Sequence, residues 1–116
     1  MNTMRACNSR TGMELSNNVA IADSLLKRMK GLLGKNTMPT GGSLWIRPCI
    51  SIHTFLMRFP IDVVFLDKTN RVIATIKNLQ PNRITWFYPK AASVLELPTG
   101  TVEATGTKVG DKLEIA

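Results

Sequence analysis

Three side chains with reactive chemistry fall within five positions of one another: Cys49, Ser51 and His53, the last being the single histidine of the chain. What they can do depends on the backbone between them. On a helix Cys49 and His53 would share a face, about 6 Å apart along the axis. The imidazole could then activate the thiol as a nucleophile, or the pair could share a metal. On a straight strand they still share a face but stand ~13 Å apart, and neither job is available without a bend. Ile50, Ser51 and Ile52 favour the strand. A closed zinc site takes four nitrogen or sulfur ligands, and one His with two Cys falls short, so no metal and no cofactor is expected. Ser51 lies one strand step, roughly 6–7 Å, from His53, without the glycine elbow of a serine nucleophile. These residues carry a catalytic alternative, a small hydrolase or transferase using Cys49 or Ser51 with His53. In the plainer reading Cys49 is a small core residue and His53 a hydrogen-bonded structural one.

Asp62 carries a different signal. It sits in an apolar run, IDVVFL, and strand alternation puts it on one face with Val64 and Leu66. An unpaired carboxylate among apolar groups costs several kcal/mol, so a partner is expected. Arg58, His53 and backbone amides near Pro60 are the candidates. Glu96 repeats the situation beside Val94, between Leu95 and Leu97. Asp62, His53, Arg58 and Glu96 are thus the expected ligand-binding patch. The structural alternative is that each carboxylate ties down a turn or a sheet end.

The elements that must position these residues are read from periodicity and breakers. Residues 1–12 are polar and patternless and read as a flexible leader. Residues 13–15 read as a short strand, with Asn17-Asn18 as a turn. A helix follows from Asp23 or Ser24 through LLKRMKGLL, with an apolar face of Leu25, Leu26, Met29, Leu32 and Leu33 and a stop at Gly34. Packing of that helix on a sheet is favoured over a basic membrane-surface or calmodulin-type element. Strands are expected over 44–47, 61–66, 71–76 and 93–97, with 83–88 extended and DKTN (67–70) as a hairpin turn. A short helical segment around 102–105 and a last strand over 112–115 complete the chain. The fold class expected is α+β: one main N-terminal helix on a mostly antiparallel, curled or barrel-like sheet, in a single domain over 13–116.

Composition bounds the partners. The 116 residues, 44% apolar and 20% charged, suit a globular domain. No apolar run reaches the ~20 residues of a membrane helix. No signal-peptide core follows Arg5 and Arg10. Two cysteines are too few for a disulfide framework, and a cytoplasmic location is expected. The net charge is +7, and residues 81–116 are balanced, so an anionic partner would meet the first two thirds of the chain. Arg47, Phe55, Arg58 and Phe59 interleave, as do Arg83, Trp86, Phe87, Tyr88 and Lys90. Rings beside cations are how single-stranded nucleic acid is held, but no recognition-helix or RNP-type signature accompanies them.

The chain resembles the domain-of-unknown-function family 192. The residues that carry the resemblance are Arg28-Met29-Lys30-Gly31-Leu32, the run LWIRPCISIHTFLMRFPIDVVFLD over 44–67, SVLELPTG over 93–100, and Gly110-Asp111-Lys112-Leu113. The resemblance implies a β-rich single domain and no established activity, substrate or cofactor. Some members look exported, and others have a Met-Lys-Asn type segment where this chain has 49–53, so Asp62 is the feature shared with them. The function expected is a non-catalytic binding or accessory module. Its polar patch of Asp62, His53 and Arg58 would recognise a small anionic ligand or a protein partner. The enzyme and a nucleic-acid binder stand as alternatives.

Overall fold

The computed structural model describes residues 3–22, 41–55 and 57–116. Seven strands form one sheet: β1 Met4–Asn8, β2 Glu14–Ala22, β3 Gly42–Ile46, β4 Ile61–Leu66, β5 Val72–Leu79, β6 Ser93–Leu97 and β7 Leu113–Ile115, in the order β5-β4-β6-β3-β2-β1-β7. All neighbours run antiparallel except β2 and β3, whose parallel register pairs Ala20 with Leu44 and Ile21 with Trp45. The sheet curls until its two edge strands touch. The Val72 N–H donates to Asp111 O at 2.7 Å, Gly110 N–H to Val72 O at 2.8 Å and Leu113 N–H to Asn70 O at 2.9 Å, joining the start of β5 to the approach of β7.

The curl gives the sheet two cores. Ala6, Leu15, Trp45, Val64, Leu66, Leu95, Leu97 and Leu113 gather on the inner face, with Val102 from helix α1, Thr101–Thr105. Ile46, Ile61, Val63, Phe65 and Val94 gather on the outer face, covered by Ile52, Met57 and Phe59. Strands β4 and β6 are buried on both sides, so their apolar residues occupy both faces and do not alternate with solvent-facing ones. Each fully buried Val, Ile, Leu or Phe there contributes about 1.5–3 kcal/mol over an exposed one, so a charge at Val64 would break the inner core.

The fold class expected from sequence is corrected by this architecture. Among the described residues the chain is mostly β, with one helix of five residues, and not α+β. The physical reason lies in the curl: a sheet that folds over on itself covers its own inner face, and loops cover much of the outer one. The N-terminal helix expected over 25–33 falls outside the described residues. Two further differences concern short polar segments. Residues 4–8, expected in a flexible leader, form β1 between β2 and β7, with Ala6 and Asn8 fully buried. Asn17 and Asn18, expected as a turn, lie inside β2. Ladder hydrogen bonds on both sides hold segments whose own composition has no strand preference.

Candidate functional site

Asp62 is 1% exposed and both of its oxygens are taken by main-chain amides. Oδ1 accepts the Asn78 N–H and Oδ2 the Val102 N–H, each at 2.9 Å. Asn78 adopts a left-handed backbone, φ 56°, a conformation asparagine tolerates. Val102 opens α1. The carboxylate therefore pins the end of β5 and the first turn of the helix to β4, and neither Arg58 nor His53 is its partner. Glu96, fully buried, does not join it. Register pairs Asp62 with Leu97 and Val63 with Glu96, so the two carboxylates point to opposite faces, Asp62 inward and Glu96 outward beside Leu44 and Val63. The four-residue patch read from sequence is thus divided between the two faces of the sheet.

His53 and Arg58 belong to the segment that covers the outer core. There residues 50–55 and 83–88 form an irregular antiparallel ribbon through the bridge His53–Ile84. The Thr85 N–H donates to Ile52 O at 2.9 Å, the Thr54 N–H to Arg83 O at 2.8 Å and the Tyr88 N–H to Ile50 O at 2.9 Å. Two buried threonines rivet the ribbon. Thr54 Oγ1 donates to Gln80 O at 2.7 Å and accepts the Arg83 N–H at 2.9 Å, while Thr85 Oγ1 accepts the Ile52 N–H at 2.9 Å. Ile52, Thr54 and Thr85 face the core; His53, Phe55, Ile84 and Trp86 take the other side. The His53 and Phe55 rings stack at 5.0 Å. Phe55 is 46%, Ile84 70% and Trp86 79% exposed. Arg58, Arg83 and Lys90 are exposed beside them, and residues 47–59 and 80–92 contain no carboxylate. The sequence shows the cations and rings; it does not show the threonines or the pairing that gathers them.

Cys49 Sγ donates to the Ser51 carbonyl at 3.0 Å, an arrangement that uses the protonated thiol. Among the described residues no three His, Cys, Asp or Glu side chains gather to hold a metal.

A second polar cluster, unforeseen from sequence, closes the opposite end of the inner core. Asp111 accepts Arg10 Nε at 2.7 Å, Asn8 Nδ2 at 2.9 Å and the Lys108 N–H at 2.9 Å. The bond from the Arg10 guanidinium is the main reason its carboxyl is held well below the usual range. Arg10 also donates to Gly106 O, where the left-handed Gly106 ends α1. Gly110-Asp111 in the sequence is the one hint of it.

A β-rich half-barrel sealed by buried carboxylates, with a basic aromatic ribbon laid on its outer face, defines the class of protein. The chain belongs to the family DUF192, an uncharacterized ACR, which matches residues 6–115. It is 36% identical over 114 residues to a UPF0127 protein of Pyrococcus horikoshii, covering 92% of this chain and 95% of that one. It is 33% identical to a UPF0127 protein of Pyrococcus furiosus over 92% and 94% of the two chains. A solved structure of a protein of unknown function from Novosphingobium aromaticivorans shares the fold, with a TM-score of 0.79 at 19% identity over 96% of this chain and 82% of that one. These relatives are uncharacterised and bring no specific function with them. No helix among the described residues is long and apolar enough to cross a membrane.

Proposed function

We propose that the protein is a non-catalytic binding module, acting in the cytoplasm, whose recognition surface for an anionic ligand or protein is the outer ribbon with His53 and Arg58. One observation carries this reading. The His53–Ile84 pairing brings exposed rings and the cations Arg58, Arg83 and Lys90 onto segments without a carboxylate to neutralise them. Such a surface attracts negative charge and offers apolar area behind it. Asp62 enters the proposal as a structural residue, since its oxygens are occupied by amides. Glu96 enters as part of the outer core under the ribbon.

Titration of the labelled protein with polyglutamate, followed by NMR, tests the reading. Shifts should cluster at His53, Arg58, Arg83 and Trp86 and fade with added salt. Shifts spread evenly over Lys68, Lys108 and Lys112, or none at all, would remove it.

A further inference from the structure

We infer that the ribbon docks the protein onto an anionic phospholipid surface, with Ile84, Trp86 and Phe87 entering the interface and Arg58, Arg83 and Lys90 meeting the headgroup phosphates. The inference rests on the anion-binding reading and names its partner.

Three features favour a bilayer over other anions. The first is protrusion. Trp86 and Phe87 are consecutive in the chain, yet 79% and 60% exposed. Neighbouring side chains on opposite sides of a strand are both bare only where the chain stands clear of the body. Tyr88, the next residue, turns back to pack on Phe65 with ring centroids at 4.3 Å, so the projecting part is short and firmly anchored. A short apolar projection fits a yielding medium without needing a matching cavity in a partner. The second is side-chain type. Ile84 is 70% exposed in the middle of the ribbon face. Stacking on nucleobases uses rings and guanidinium planes, and a branched aliphatic group adds nothing to it; in the acyl boundary it is as useful as a ring, and Trp favours that boundary. The third is charge of one sign around the projection, with no carboxylate in either segment, which anionic lipid would attract. An apolar cleft of about 310 Å³ between Ile73, Tyr88 and Pro89, with Lys90 on its lining, extends this surface past the end of the ribbon.

Vesicles of phosphatidylcholine, alone and mixed with phosphatidylglycerol, test the inference by co-sedimentation and fluorescence. The chain has two tryptophans, and Trp45 is 5% exposed, so Trp86 is the indole that can report insertion. Binding should require phosphatidylglycerol, shift the emission to the blue, and make Trp86 quenchable by brominated acyl chains. The triple variant Arg58→Glu, Arg83→Glu, Lys90→Glu should partition at least roughly 100-fold less, since losing each basic residue at an anionic surface costs on the order of fivefold and the new carboxylates add repulsion. Trp86→Ser with Phe87→Ser should lose the affinity that survives high salt. All five positions lie at the surface, so these variants should fold. Binding that ignores the charge reversals, or that leaves Trp86 unquenched, overturns the inference. If polyglutamate binds the ribbon and vesicles do not, the anion-binding reading stands and the lipid inference falls; if neither binds, both fall. Retention on a single-stranded oligonucleotide without vesicle binding replaces lipid by nucleic acid and also overturns it.

Discussion

The inner polar clusters and the outer ribbon treat polar groups in opposite ways. On the inner side, Asp62 and Asp111 are almost fully buried and every strong contact they make is to the chain itself, so they fix geometry and have little left to offer a ligand. On the outer side the ribbon meets its internal hydrogen-bonding needs with two neutral threonines, and its rings and cations remain directed outward. A buried charge in this fold marks construction. Exposed apolar groups next to cations mark the outer ribbon.

That contrast can be broken or sharpened by substitution, beginning on the inner side. Asp62→Ala strands the buried Val102 amide and the part-buried Asn78 amide and should cost about 3 kcal/mol, on the order of 1–3 kcal/mol for an unsatisfied buried group, read as a lowered urea midpoint with the m-value unchanged. A loss under about 1 kcal/mol would mean the amides find other partners. Asp111→Ala should follow at about 2 kcal/mol, because hydrogen bonds to a charged group contribute roughly 1.5–3 kcal/mol. It also carries a pH signature. The folded carboxyl is held below its ordinary value of 3.8, so its contribution is complete above that pH and is lost as pH falls beneath it. Asp111→Asn should flatten the acid limb of the stability curve while leaving its shape near neutral pH unaltered.

On the outer side the effects should be smaller and local. Thr54→Val leaves the Arg83 amide without its acceptor and should cost about 1 kcal/mol, with faster hydrogen exchange at Asn82 and Arg83 and little change in β4. If β4 exchange accelerates equally, the ribbon is part of the core and not a separate surface. Arg58→Glu and Trp86→Ser should stay within about 0.5 kcal/mol of the parent in stability and show their effect only in binding.

The sequence revealed the apolar strands, β4 and β6 among them, and hid the polar β1 and most of β2. Residues 61–66 and 93–97 appear as strands with the boundaries the structure has, because β-branched and large apolar residues on both faces adjoin a proline, Pro60 before the first and Pro98 after the second. The hairpin at 67–70 was legible too, since Asp67 Oδ1 collects the Thr69 and Arg71 amides as an Asx turn does. β1 was not: Arg5, Cys7 and Asn8 look like a tail until the Asp111 loop, far along the chain, supplies partners for Asn8 and Arg10. Asp62 stood out from sequence as a buried carboxylate in need of a partner. Main-chain donors have no sequence signature, so the pull of nearby Arg58 and His53 suggested a site where the structure has a brace. The α+β expectation erred because helix among the described residues is confined to Thr101–Thr105, while the curled sheet covers its own inner face.

Pairing β1 with β7 has a consequence for how the molecule is made. Asn8 and Asp111, which lock the two strands, are 103 residues apart, so most of the domain must be synthesised before this seam can close. Until then one margin of the sheet presents bare N–H and C=O groups, the template on which another chain could add. Contacts between such distant parts of the chain also slow folding. Nascent or heat-stressed protein should therefore associate through β1, and a peptide spanning 108–116 added in excess should suppress that association.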